Sequence, residues 1–166
     1  MSILFNANEV FEMAERIEAN GEAFYRRAAE MNPAPKDREF LLHLADMEVG
    51  HRLTFVEMRK QLSARQKELT AYDPNGEAAM YLSAMADAHP GEGAPSIAKA
   101  LTGKESLDHI LRTAIELEKK SVLFYLGLRD MVPEALGKDR IDTIIAEEKS
   151  HIVILAQHLG TARRKA

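Results

Sequence analysis

The sequence predicts an all-α chain, a four-helix bundle in which a long crossover containing a short extra helix joins the second and third helices. Three observations predict it. Good helix formers (Ala, Leu, Glu, Met, Lys, Arg) fill the stretches between sparse breakers, and strand-like alternation is scarce. Apolar residues recur at three- and four-residue steps along four long segments. The first and second segments, and the third and fourth, are joined by short turns, while Thr70 to Leu101 separates the two pairs.

The first helix is expected from about Asn8, a candidate N-cap, to Met31, where Pro33 and Pro35 end it. The second is expected from Lys36 to Leu69; Phe40, Leu44, Met47, Phe55, Met58 and Leu62 set its apolar period, with His51 filling the gap. Breakers at Asp73-Pro74-Asn75-Gly76 and from Pro90 to Pro95 flank an Ala/Met-rich stretch, Glu77 to Ala88, that reads as the extra helix. The third helix is expected from Thr102, with Thr102 and Glu105 as a capping box, to just before Pro133. The fourth is expected from Asp139 to Leu159, with Gly160 as its stop. Short turns make neighbours antiparallel, and a crossover long enough to return along helix two makes helices two and three parallel.

At 166 residues the chain suits a single domain, 1–166. A net charge of −4 gives it no broad attraction for nucleic acid or anionic lipid. No run is apolar enough to span a membrane, and the N-terminus turns acidic within ten residues, unlike a signal peptide. The absence of cysteine excludes disulfides, cysteine-ligated zinc and a rubredoxin-type iron centre. The expectation is a cytoplasmic protein.

The stretches EVGH, Glu48 to His51, and EKSH, Glu148 to His151, lie one hundred residues apart. At the same offset Glu18 matches Glu118, Tyr25 matches Tyr125, Phe24 matches Phe124 and Ala14 matches Ala114, while most other positions differ. A Glu and a His three residues apart lie about 60° apart on a helix and can approach one point. Apolar neighbours at helical steps place all four carboxylates on or beside the interior faces, and no comparable set of Lys or Arg shares those faces. Buried charge needs compensation. Two divalent cations balance four carboxylates, and two neutral imidazoles complete the shells. Such donors suit iron or manganese, with zinc as a substitute. Taken singly, each Glu reads as exposed helix charge; taken together, they read as a two-metal site.

The order Glu…Tyr, Glu-x-x-His, crossover, Glu…Tyr, Glu-x-x-His resembles the ferritin-like superfamily and, within it, the rubrerythrin-like di-iron proteins. The resemblance covers nearly the whole chain. It implies that Glu18, Glu48, His51, Glu118, Glu148 and His151 bind two metal ions, with Glu48 and Glu148 bridging and Glu18 and Glu118 terminal. It implies redox chemistry with O2 or peroxide, in oxidative stress or iron handling; the alternative is a non-enzymatic iron store or carrier. Rubrerythrins add a cysteine-bound iron module that feeds electrons to the centre. This chain has none, so a redox reaction would need an external electron donor. They also add a carboxylate one turn from the third helix's ligand; here those positions are Ala114, Ile115, Ser121 and Val122. The implied centre therefore has six ligands.

Tyr25 and Tyr125 are candidates to stand behind the ligands in the catalytic centre, the plainer reading being core aromatics with hydrogen-bonded hydroxyls. His43, His89, His109 and His158 read as structural or surface groups, and Glu15 as a support or substitute ligand. Glu147 lacks a His three residues on. The methionines read as core filler and Lys119-Lys120 as a solvated face. A homodimer is compatible with a bundle that has apolar surface to spare.

Overall fold

The computed structural model describes residues 7–62, 97–132 and 134–165. Helix α1 (Ala7–Met31) is followed by α2 (Pro35–Lys60), a four-residue helix α3 (Ile97–Ala100), α4 (Leu107–Met131), a 3₁₀ turn (Glu134–Leu136) and α5 (Lys138–Lys165). No strand occurs among the described residues. The extra helix expected at Glu77 to Ala88 lies outside them.

Cross-helix contacts set the directions. Arg59 meets Glu15 and Arg26 meets Asp46, so α1 and α2 are antiparallel. Arg129 meets Asp142 and Arg163 meets Asp108, so α4 and α5 are antiparallel. Tyr25 reaches Glu118 while Tyr125 reaches Glu18, so α1 opposes α4. It follows that α2 and α4 run parallel.

Each helix buries one stripe. On α2 it is Leu41, Leu44, Ala45, Glu48, His51, Phe55 and Met58, steps of three and four residues throughout apart from the adjacent Ala45. The stripes form two apolar clusters. One contains Phe11, Ala14, Phe55, Tyr125 and Ile144. The other contains Tyr25, Ala28, Leu44, Ala114 and Leu155. Along every long helix the Glu of the repeated pattern falls between residues of these two clusters. The bundle thus has a polar layer held between two apolar ones.

Four expected helix ends move. Helix α1 begins at Ala7, so Asn8 lies inside its first turn and does not cap it. Helix α2 stops at Lys60 rather than Leu69. There the Gln61 N–H is shared between the Glu57 and Met58 carbonyls, 3.2 Å each, and the Leu62 N–H bonds to Arg59. The ladder tightens from four-residue to three-residue spacing, and Leu62 tucks into the core. Helix α4 starts at Leu107, capped by Ser106, whose hydroxyl accepts from the His109 N–H at 3.2 Å. Thr102 and Glu105 do pair, but in the loop before the helix. The Glu105 carboxylate accepts from the Thr102 N–H (3.0 Å) and hydroxyl (2.8 Å) and from the Gly103 N–H (3.0 Å). Gly103, at φ 86°, takes the left-handed backbone that breaks helical continuity between them. Helix α5 runs through Gly160 to Lys165. In that last stretch Arg163 meets Asp108 of α4 at 2.6 Å.

Candidate metal centre

The interior stripes bring Glu18 from α1, Glu48 and His51 from α2, Glu118 from α4, and Glu148 and His151 from α5 to one place. Each is at most 5% exposed, and together they are the buried polar and charged residues among those described. No Lys or Arg is among them. Arg26, Arg52 and Arg59 pair with Glu22 and Glu15 around the outside of α1 and α2.

The six form two groups. Glu18, Glu48, His51 and Glu148 each offer one ligand atom within 4.8 Å of the others, and so do Glu48, Glu118, Glu148 and His151. Glu48 and Glu148 belong to both groups, Glu18 and Glu118 to one each. The Nδ1 of His51 lies 3.1 Å from Glu148 and 3.5 Å from Glu18. The Nδ1 of His151 lies 3.0 Å from the other oxygen of Glu148, 3.5 Å from Glu118 and 3.9 Å from Glu48. The imidazole rings stand 5.6 Å apart and nearly parallel.

These atoms converge without satisfying one another. Glu18 Oε2, both oxygens of Glu148, and Nδ1 of His51 and of His151 are buried with no hydrogen-bond partner. Such atoms are costly in a folded interior unless something completes them. Carboxylate oxygens and imidazole nitrogens aimed at a common centre are a donor set that divalent iron, manganese or zinc would complete, so the residues fit a pair of metal ions.

Electrostatics give the same answer. Burial pushes Glu18 well above the usual carboxylate range, and the negative charges of Glu148 and Glu118 push it further. Burial, then Glu18, does the same to Glu48. Burial and Glu148 raise Glu118 to about 8. Burial opposes charge on Glu148 too, but the imidazoles of His151 and His51 beside it outweigh burial and hold it at about 2. Burial alone would lower the histidines; their carboxylate neighbours instead raise His51 to about 9 and His151 to about 10. Without cations, then, the cluster holds protons in their place near neutral pH.

Tyr25 and Tyr125 cross between the halves. Tyr25 donates to Oε1 of Glu118, and Tyr125 donates to Oε1 of Glu18. Burial, reinforced by the carboxylates, pushes both phenols well above the ordinary tyrosine value, so each remains a donor. In Glu18 the oxygen not held by Tyr125, Oε2, faces Nδ1 of His51 at 3.5 Å, whereas in Glu118 the oxygen that accepts from Tyr25 is also the one 3.5 Å from Nδ1 of His151.

The remaining candidates lie elsewhere. Glu15 is engaged by Arg59 at 2.6 Å, outside both groups. His158 pairs with Asp37 at 2.6 Å and stacks on Phe40; His43 and His109 are exposed. His89 lies outside the described residues. Two residues to which the sequence reading assigns no role contribute: Glu147, set aside for want of a His three residues on, and Gly21. Glu147 stands 2.7 Å from Nε2 of His51. Gly21 lets Glu48 pass close to α1: a Cβ there would lie 3.1 Å from the Glu48 carboxylate. Beside Glu147 a cleft of 740 Å³, lined by Met47, Gly50, His51, Leu53 and Glu147 among others, opens between α2 and α5.

Among the described residues no helix is long and apolar enough to cross a membrane. No protein-family model matches the chain, and no curated protein matches it. Among solved structures it is similar to a Thermotoga maritima protein provisionally named a ferritin-like diiron-carboxylate protein, with a TM-score of 0.74 and 24% identity over 98% of this chain and 99% of that one. At that identity the likeness speaks for the fold, and the chain has the ferritin-like helical-bundle fold.

Proposed function

We propose that the chain is a di-iron-carboxylate protein of rubrerythrin-like type that carries out redox chemistry with O2 or peroxide. The observation that carries this reading is the identity of the buried polar set: four carboxylates and two imidazoles in two groups that share Glu48 and Glu148. Glu18, Glu48, His51 and Glu148 would hold one ion, and Glu48, Glu118, Glu148 and His151 the other. A pair of Fe(II) ions so held would supply electrons, one from each ion, to O2 or peroxide.

The chain's own residues do the rest. Tyr25 and Tyr125 orient the terminal carboxylates and present buried hydroxyls beside the centre. The two apolar clusters keep water from above and below. The cleft between α2 and α5 reaches His51 and gives a small oxidant a way in. The sequence has no cysteine to bind a relay iron centre, so an external donor would supply the reducing equivalents for a redox reaction. Manganese or zinc would fit the same donors.

Two measurements test the proposal. Protein purified without chelator or affinity tag should carry two metal ions per chain. Loaded anaerobically with Fe(II) and mixed in a stopped-flow instrument, it should oxidise iron with peroxide or O2 faster than free iron does in the same buffer. Bound iron that reacts no faster than free iron would leave a carrier or store.

A further inference from the structure

The two halves of the centre are alike in their ligands and unlike behind them. His51 points Nδ1 at Glu18 and Glu148, and its Nε2 lies 2.7 Å from Oε2 of Glu147. His151 points Nδ1 at Glu118 and Glu148 in the same manner, but its Nε2 is buried without a hydrogen-bond partner. The difference is written in the sequence. At the hundred-residue offset that relates the halves, the counterpart of Glu147 is Met47, whose thioether is a poor acceptor. The two imidazoles are thus held differently. With the hydrogen on Nε2, His51 donates to a carboxylate, which fixes its ring and leaves Nδ1 as the free donor atom for a metal. Nε2 of His151 has no such tether. The Glu147 side chain is 46% exposed and lines the cleft with His51, so it can be changed without opening the core.

We propose that Glu147 is a positioning residue that makes the two metal positions unequal. By tethering Nε2 of His51, it causes the position formed by Glu18, Glu48, His51 and Glu148 to fill first and to hold its ion more tightly than the position that includes His151. The proposal rests on the two-metal reading. It assigns the order of filling, which the ligands alone do not. An outer carboxylate on a metal-bound imidazole is worth about 10- to 100-fold in metal affinity.

The test is a titration of the metal-free full chain with Co(II), followed by visible absorption, together with anomalous scattering from crystals grown with one equivalent. Wild-type protein should take up two ions in distinguishable steps, the first located beside His51. Glu147→Ala should weaken that first ion by about 10- to 100-fold, shift its absorption band and leave the affinity of the second unchanged. Glu147→Gln keeps an acceptor oxygen without the charge and should fall between the two. A merely structural role would weaken both ions alike and would not follow this order. Unchanged affinities in Glu147→Ala, equal weakening of both ions, or a first ion beside His151 would each overturn the proposal and leave the two-metal reading standing. Wild-type protein that binds no Co(II) would overturn both.

Discussion

Gly21 sits one turn beyond Glu18 and has no side chain because Glu48 uses the space. A methyl group there would lie 3.1 Å from both Cδ and Oε2 of Glu48. The obstructing atoms end a flexible side chain, so the fold can yield by a few tenths of an ångström. The carboxylate that yields, however, belongs to both metal groups. Gly21→Ala is therefore expected to leave the metal-free protein as stable or up to about 1 kcal/mol more stable, from helix propensity. It should weaken binding of both ions. Thermal unfolding with and without metal, beside a metal titration, separates the two effects; undiminished metal affinity would show that Glu48 has room to spare. Gly21 and Glu147 share a reason for being hard to read in the sequence. The spacing of Glu48 to His51 is a property of one helix and can be counted. Gly21 matters because of a side chain from α2, and Glu147 because of a histidine on α2, ninety-six residues away in the chain.

Helix interiors were legible for the same reason that helix ends were not. The interior stripe of α2 follows the apolar period with Glu48 and His51 standing in the series, and no knowledge of neighbours is needed to see it. Ends depend on local competition. Thr102 and Glu105 make one of the two hydrogen bonds of a capping box, the Thr102 N–H donating to the Glu105 carboxylate, yet the left-handed Gly103 between them leaves that bond closing a loop. The true cap is Ser106, and Ser106→Ala should cost about 1 kcal/mol of stability in chemical denaturation. A loss indistinguishable from zero would mean that the Thr102–Glu105 loop alone fixes the start of α4. Gly160 reads as a stop because glycine favours that position after a helix, but it is not among the glycines with positive φ, and α5 continues through it to Lys165. Propensity is a small bias, and one glycine does not by itself end a helix.

At the scale of the whole molecule, the polar layer couples folding to metal and to pH. Glu118 is raised from 4.5 to about 8, chiefly by burial, and Glu18 and Glu48 are raised well above 4.5 for the same first reason. Burial opposes charge on the histidines, but the carboxylates raise His51 to about 9 and His151 to about 10. A group raised on folding contributes stability that is complete below its unfolded value and is lost as pH climbs through its folded value. Glu148, held at about 2, acts oppositely: its contribution is present above 4.5 and disappears toward pH 2. The metal-free protein should therefore lose stability as pH rises from 4.5 to about 10, while protein with two bound ions should resist that decline because the cations replace the protons. Melting temperature against pH, in chelator and with two equivalents of metal, measures the widening gap. A chelated protein whose melting temperature is flat across this range would show that the carboxylates are hydrated rather than buried.

Because the phenols cross, neither hairpin can drift alone. The loss of Glu118 strands the hydroxyl of Tyr25 in the opposite hairpin, and the loss of Glu18 strands that of Tyr125. A stranded buried hydroxyl is penalised wherever it occurs, whereas an apolar neighbour need only fill its space. Two copies of one ancestral hairpin kept in step by that reciprocity would come to look like these halves: matched at the acids, imidazoles and phenols, and free to diverge almost everywhere else.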